Sequence, residues 1–498
     1  MVRVGLARCE PTYDGISAPW GPGKNYPEVN RLLGDSAGIG PHNEVYAAVR
    51  AALYGLGLDA QRYGTADWNP IGDLVSPGRR IILKPNLIRH WNPADDGRGG
   101  TVGSVITHGA VIRAVADYAM IAAGADGSVA IAEAPQMDCD FEQIREIAGL
   151  DKIRLEYDRV LNREFEVIDL RREAVIMRDG VIVDRRPLPG DPLGYRAVDL
   201  GEESFFTGSG LDPNRFRGAD YDAGPTAEHH KNGRNAYLLS ETVLSADLVI
   251  NLPKLKTHKK TGVTLAIKNL VGINGDKNWL PHHSLGSVDD GGDEFPNSRL
   301  IDRVRSRATE IARPLLAKGR ALKLIQVYRQ IETATRGDQF IRSGNWHGNR
   351  TTWRMCCDLN RCLYYSDKDG LNLGADAPVR TVLTIIDGVL AGEGEGPLAP
   401  TDVRLGAVLA STDPVAVDLV AVRLMGFDER KIEKLVGPMR DEGQRITLVR
   451  DAEDVEVAEL RAGAQELNMR SLDEITAEKV FEPHAGWVGH IERAEKDQ

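Results

Sequence analysis

The chain has 498 residues, 42% of them hydrophobic and 27% charged, with a formal net charge of −11. That balance is ordinary for a soluble globular protein, long enough to bury a sizeable core over roughly two to four domains. It excludes general nucleic-acid binding, which needs a basic stripe to displace counterions, but it leaves room for local basic clusters that hold small anions.

The opening "MVRVGLARC" predicts a strand, without the apolar stretch and cleavage site of a leader. No later run approaches the roughly 18 apolar residues that span a bilayer. The expectation is a soluble, cytoplasmic protein with no membrane span. "NEVYAAVRAALYGLGLD" predicts an amphipathic helix ended by glycines, and "RRIILKPNL" a buried strand stopped at Lys84-Pro85-Asn86. "THGAVIRAVADYAMIAAG" predicts a helix from the N-cap candidate Thr107 to Gly124. "GSVAIAEAP" is the next strand and "DFEQIREIAGL" the next helix. Strand and helix alternating at this spacing indicate a parallel sheet with crossover helices.

Residues 151–235 change character. "EFEVIDL" and "AVIMRDGVIVDRRPLP" predict short strands, the second a hairpin turning at Asp179-Gly180, so this stretch reads as a β-rich insertion. The α/β pattern returns at "YLLSETVLSADLVINL". Residues 300–336 predict a long helical stretch interrupted by Pro314 and Gly319, and "NRTTWRMCCDLNRCLYYSD" a further helix, so the helical segment extends to about 366. "VRTVLTIIDGVLAG" and "RLGAVLAS" are strands, and Asp413-Pro414 suits the N-cap and first turn of the helix "DPVAVDLVAVRLMGF". The closing "FEPHAGWVGHIE" is expected to pack back on the body. The fold class is therefore α/β: two α/β domains with mostly parallel sheets around a cleft, residues 1–245 carrying the β-rich insertion and residues 246–498 forming the second.

Ligands of open parallel sheets sit beyond the carboxyl ends of the strands. Lys84, Asn86 and His90, then Glu133, then Lys254, Lys256 and His258 follow buried strands there, and their clustering predicts a pocket. Lys254 and Lys256 alternate, so they point to one side of an extended segment. Lys268 and Asn269 lie inside the apolar "TGVTLAIKNLVGI". A lysine so placed either snorkels at a surface or faces an anion: a carboxylate, a phosphate or a covalent carbonyl adduct. His282 and His283 precede Asp289, Asp290, Asp293 and Glu294 in a glycine-containing loop, either a divalent-metal site or a solvated lid. His108 at a helix start is a candidate acid/base near neutral pH or an exposed first-turn histidine. Asp387, Glu393 and Glu395 close a strand among glycines as candidate metal ligands or proton acceptors, or as an acidic surface turn. The five cysteines, at 9, 139, 356, 357 and 362, show no CxxC spacing, so neither an iron–sulfur cluster nor a zinc site is expected from them. No P-loop, no GxGxxG after the first strand, no GxSxG and no HExxH occur, which disfavours a conventional NTPase, dehydrogenase or serine hydrolase.

"NLPKLKTH" with "TGVTLAIKNLVGI", "LPHHSLGSVDDGGDE", "GNWHGNRTTWRMCCDLNRCLYYSDKDG", "IIDGVLAGEGEGPL" and "PHAGWVGHIE" resemble the domain-of-unknown-function family 362 over most of the chain from about residue 80. Some of its members carry an added ferredoxin-like cysteine cluster, which this sequence lacks. Thr107-His108, His258, Lys268 and His283 (or His282) also stand in the order, and near the spacing, that is similar to lactate-racemase-like enzymes. There two α/β domains meet at a cleft and the lysine binds a nickel-pincer cofactor covalently. That resemblance implies Lys268 as an anchor for cofactor or substrate. It implies His108 and His258 as acid/base groups, and a metal held by His283 or His282. The glycine-rich approach to the lysine is replaced by "GVTLAIK" here, which leaves the cofactor's identity open.

The combined expectation is a metal- or cofactor-dependent enzyme with racemase- or epimerase-like chemistry on a small anionic substrate, a hydroxy acid or sugar acid. Catalysis would fall to His108, His258 and Lys268. Substrate binding would fall to Lys84, Asn86, Lys254, Lys256 and Asn269, and metal binding to His282, His283, Asp293 and Glu393. A non-catalytic anion- or cofactor-binding protein and an accessory factor in polysaccharide biosynthesis are the alternatives, and a homo-oligomer is left open.

Overall fold

Aliphatic runs without polar alternation make strands that are buried on both faces. The computed structural model, which describes residues 1–34, 40–178, 181–297, 299–317, 341 and 343–493, builds its centre from them. In chain order the strands of its main sheet are β1 (Val2–Arg8), β2 (Arg80–Pro85), β3 (Ser128–Glu133), β4 (Glu166–Asp169), β5 (Leu248–Leu252) and β6 (Lys254–His258). They continue with β7 (Gly262–Val263), β8 (Thr381–Glu395), β9 (Ala399–Ser411), β10 (Val455–Arg461) and β11 (Asn468–Ser471). The order across this eleven-stranded sheet is β11-β10-β1-β9-β8-β5-β2-β3-β4, with β6 paired to β8 and β7 to β6. From β8 to β4 all neighbours are parallel. On the other side β9 is antiparallel to both β8 and β1, β1 is parallel to β10, and β11 is antiparallel to β10.

The α/β class read from the sequence is the class of the structure. Strands from before and after residue 245 alternate: β5 sits between β8 and β2, and β1 between β10 and β9. The ladder from Leu248↔Ile81 to Leu252↔Pro85 ties them, so the two halves share one sheet.

Side chains alternate between the two faces. Ile81, Leu83, Leu248 and Ile250 face α1 (Glu44–Gly55) and α2 (Gly109–Ala123). Ile82, Val249 and Val382 face the opposite layer, made by α3 (Leu265–Asn269), α4 (Thr352–Tyr365) and α5 (Pro414–Leu424). Cys356, Cys357 and Cys362 of α4 are fully buried in that layer as apolar contacts. The tail packs back as expected, with Trp487 and Ile491 buried and the Trp487 indole donating to the Lys259 carbonyl at 2.9 Å.

The β-rich stretch contains the hairpin Glu173–Arg178 with Val181–Pro187, whose Asp179-Gly180 turn lies outside the described residues. Tyr195–Asp199 pairs with Ala236–Ser240 beside it. The helix expected to break at Pro314 runs unbroken over Leu300–Ala317; Gly319 and residues 318–340 lie outside the described part. No helix among the described residues is long and apolar enough to cross a membrane.

Two helix starts are instructive. Asp413 caps α5 as the sequence suggests, accepting from the Val415 and Ala416 amides at 2.9 Å, and it also accepts from the Thr447 hydroxyl and the Leu448 amide at 2.8 Å each. At α2 the cap is His108 rather than Thr107: its Nδ1 accepts from the Ala110 amide at 3.1 Å. The Thr107 hydroxyl is engaged elsewhere, donating to the Leu252 carbonyl at 2.6 Å and accepting from the Asn86 amide at 2.9 Å. It thereby ties the ends of β2 and β5.

Asp413→Ala removes a cap whose carboxylate also holds the 447–448 turn. The expected loss is about 1–2 kcal/mol of unfolding free energy, read as a lower urea midpoint at an unchanged slope.

Candidate functional site

The carboxyl ends of β2, β3 and β5 meet in a fully buried polar network. Lys84 Nζ lies 2.6 Å from a Glu133 carboxylate oxygen and 2.8 Å from the Pro85 carbonyl. Asn269 Oδ1 accepts from Asn86 Nδ2 at 2.8 Å, while Asn269 Nδ2 donates to Asn251 Oδ1 at 2.8 Å and to the Lys84 carbonyl at 3.1 Å. Asn86 Oδ1 is buried and has no partner among the described residues. Gly272 makes this packing feasible: a Cβ there would fall 1.9 Å from Glu133 Oε1 and 2.6 Å from Lys84 Cε. Lys84, Asn86 and Asn269, expected from the sequence to bind substrate, lie together here, with Lys84 facing a protein carboxylate.

Pro253 ends β5, and the chain continues at once as β6, where Lys254 and Lys256 are wholly buried. Lys254 Nζ meets Asp387 Oδ2 at 2.9 Å and the Tyr13 hydroxyl at 3.0 Å. Lys256 Nζ donates to the Val105 carbonyl and meets no carboxylate among the described residues. Burial holds its ammonium well below the usual lysine range, and Lys254 and Lys268 add to the effect.

Lys268 rides on α3, a single short turn that starts from Leu265 at φ +53°, a left-handed conformation uncommon for a leucine. Asp418 supports that start, accepting from the Ala266 amide at 2.6 Å and the Ile267 amide at 3.3 Å. Lys434 lies 3.3 Å from Asp418 and donates to the Thr264 carbonyl at 2.6 Å. Lys268 itself is 9% exposed and makes no hydrogen bond or ion pair among the described residues. Burial lowers its pKa first; the Cys356 thiol beside it works in the other direction, and Lys434 lowers it further.

His258 and His282 stand beside Lys268, whose charge is the largest electrostatic cause, after burial, of the lowered pKa of each; His282 falls to about 3. Both imidazoles are therefore neutral at physiological pH, and their hydrogen bonds fix opposite tautomers. His258 Nδ1 accepts from the Lys260 amide at 3.1 Å, which leaves the proton on Nε2. His282 Nδ1 lies 2.9 Å from the Leu280 carbonyl and must donate to it, which leaves Nε2 as an acceptor. One ring thus offers a hydrogen-bond donor and the other a proton acceptor, next to an amine without a partner.

His108 belongs to a separate cluster. α2 and α3 cover opposite faces of the sheet, so His108 and Lys268 approach its edge from opposite sides. The His108 ring stacks on Tyr13 with centroids 3.7 Å apart, and its amide donates to Asp387 Oδ2 at 2.9 Å. Burial pushes its pKa down to about 3 and Asp387 only partly opposes this, so the ring is neutral with its proton on Nε2. The charges acting on it are Asp387 and Lys254, whereas Lys268 heads those acting on His258 and His282.

The expected metal set is dispersed. Asp293 Oδ1 accepts from the Ser284 amide at 2.6 Å; its Oδ2 accepts from the Arg350 and Thr351 amides at 2.8 Å each and from the Thr351 hydroxyl at 2.6 Å. It anchors the start of α4. Glu393 accepts from Lys479 Nζ at 2.7 Å and from the Glu482 amide at 2.9 Å, holding the tail. His283 is buried in a two-residue pairing with Arg217. Among the described residues no three His, Cys, Asp or Glu side chains converge as a metal site. This donor arrangement does not fit a protein-held metal. His90 lies apart as well, its Nδ1 accepting from the Asp140 amide at 3.0 Å. The sequence reading missed Tyr13, Asn251, Cys356, Asp418 and Lys434: Tyr13 lies in the loop after β1, Asn251 inside β5, and the other three on helices.

A family model described as "Domain of unknown function (DUF362)" matches residues 166–423, just over half of the chain, including α3, β6 and both central histidines. No curated protein matches the chain.

Gly272→Ala drives a methyl into the Lys84–Glu133 pair. A loss of roughly 1–3 kcal/mol is expected from such overpacking, read from denaturant unfolding. Acid should also destabilise the fold. His108 and His282 at about 3 and His230 at about 4 lie below their ordinary 6.5, so the unfolded chain binds more protons than the folded one. Stability from these groups is complete above pH 6.5 and falls as pH drops towards 4; urea midpoints across that window should show it, with a shallower slope in His282→Gln.

Proposed function

The chain belongs to the DUF362 family, and on that footing we propose that it is an enzyme that binds a small anionic substrate, a hydroxy acid or sugar acid, in the hollow around Lys268 and transfers a proton on it. The observation that carries this reading is a charge imbalance. Five lysines are buried among the described residues, and Lys84, Lys254 and Lys434 have carboxylates at 2.6, 2.9 and 3.3 Å. Lys256 and Lys268 have none. A buried ammonium is costly unless paired, so these two groups either lose their protons or take an anion from outside.

The neighbouring rings supply the proton chemistry. In this reading His258 Nε2–H holds a substrate oxygen as a neutral donor. His282 Nε2 is the proton acceptor, and its weakness in the free protein has a named cause. After burial, Lys268 is the main depressor of the His282 pKa. An anion seated on Lys268 offsets that charge and raises the basicity of His282, so the substrate would switch on its own base. This is the proton handling that racemase- or epimerase-like chemistry requires. Lys84, Asn86 and Asn269 serve as a fixed floor, and no step is assigned to a metal.

The linkage is directly measurable. Both Lys268 and His282 have lowered pKa values in the free protein. An anion favours the protonated form of both, so binding is expected to take up protons over the pH range in which either group titrates. Calorimetry with phosphate and with lactate, in buffers of different ionisation enthalpy, should show proton uptake that is lost in Lys268→Met. Proton release, or binding undiminished in that variant, would remove the hollow as the anion site. Solvent-deuterium incorporation at C2 of lactate, followed by NMR, tests the transfer itself and should disappear in His282→Gln.

A further inference from the structure

We propose that Lys268 is a Schiff-base lysine, and that the substrate class of this site is a small anionic carbonyl compound, a 2-oxo acid, which it holds as an imine. The inference rests on the small-anion reading of the hollow and adds a covalent step to it.

Three observations point the same way. Lys268 has no partner among the described residues, while Glu133, a carboxylate whose charge acts on it, is committed to Lys84, and Asp418, which supports the start of its helix, is committed to Lys434. Burial and Lys434 lower the pKa of Lys268 against the opposing pull of Cys356 and Glu133, which makes the free amine, the nucleophilic form, more accessible than in an exposed lysine. It is also the least enclosed of the buried lysines, 9% exposed where Lys84, Lys254 and Lys256 are wholly buried. Finally, the two rings beside it carry the tautomers an imine needs. His258 Nε2–H can donate to the carbonyl oxygen, and His282 Nε2 can accept the proton that the attacking amine releases.

The step balances without an oxidant or reductant. Lys268 Nζ attacks the keto carbon, forming the C–N bond while the C=O π pair moves onto oxygen, held by His258. His282 takes a proton from nitrogen and delivers it to that oxygen. The resulting carbinolamine loses water, and the nitrogen lone pair closes the C=N bond. Protonation of the imine leaves a cation beside the substrate carboxylate, so the product preserves the pairing that a simple anion would make. Lys254 and Lys256 are poorer candidates: each amine is already engaged, with Asp387 and Tyr13 or with the Val105 carbonyl. The short helix explains how Lys268 is presented, since the left-handed Leu265 starts a single turn that ends at Asn269, just past the lysine.

The test is reductive trapping of the full-length protein with pyruvate and sodium borohydride, followed by intact mass and peptide mapping. One reduced adduct per chain on Lys268 is expected, absent without pyruvate and absent in Lys268→Met. Lys268→Arg, which keeps a cation and guards against a folding failure, should also give none while unfolding in urea with the cooperativity of the parent protein. Adducts scattered over exposed lysines, or a single adduct elsewhere, overturn the proposal. Lactate binding with no trapped pyruvate overturns the Schiff base and leaves the anion site standing, whereas absence of binding by either acid removes both.

Discussion

The interior of this protein is organised by what happens to lysine charge when it is taken out of water. Several segments deliver amines to the end of one parallel sheet, and the fold supplies carboxylates to some of them and withholds them from others. Lys84, Lys254 and Lys434 are pinned in ion pairs. Those pairs set the positions of β2, β6 and the segment before α3. Breaking one would leave a bare buried charge, which costs more than the pair itself contributes. Lys256 and Lys268 are what remains after this pairing, buried amines with no carboxylate partner among the described residues.

The histidines acquire meaning only within that field. A neutral imidazole is ambiguous until its partners choose a tautomer. Here the choice is made by ordinary backbone groups, an amide at Lys260 and a carbonyl at Leu280. The same logic applies on the other face of the sheet, where the Ala110 amide fixes His108. Three rings are thus held as two donors and one acceptor without any carboxylate bonded to their Nδ1 atoms.

Much of this was legible in the sequence. Uninterrupted aliphatic runs announced the central strands, and Asp413-Pro414 announced α5. "NLPKLKTH" and "TGVTLAIKNL" announced amines at a strand end, because a charge directly after a buried strand has few places to go. The partners were hidden for a physical reason. Asp418 and Lys434 come from α5 and from the helix Glu433–Arg440, about 150 positions or more away from α3, and nothing local distinguishes them from surface charges. Asp293 shows the converse error: an acidic residue in a histidine-bearing loop looks like a ligand, yet its oxygens are filled by backbone amides that cap α4. His108 likewise fitted a helix-start pattern, but periodicity along the chain carries no record of which sheet face a helix covers.

Sharing one sheet between the two halves of the chain has a consequence for access. The β5–β2 ladder is continuous hydrogen bonding between parallel strands, so no hinge runs between the two halves of the chain there, and whatever reached the Lys268 amine would come past the strand tips and not through a parting of the sheet.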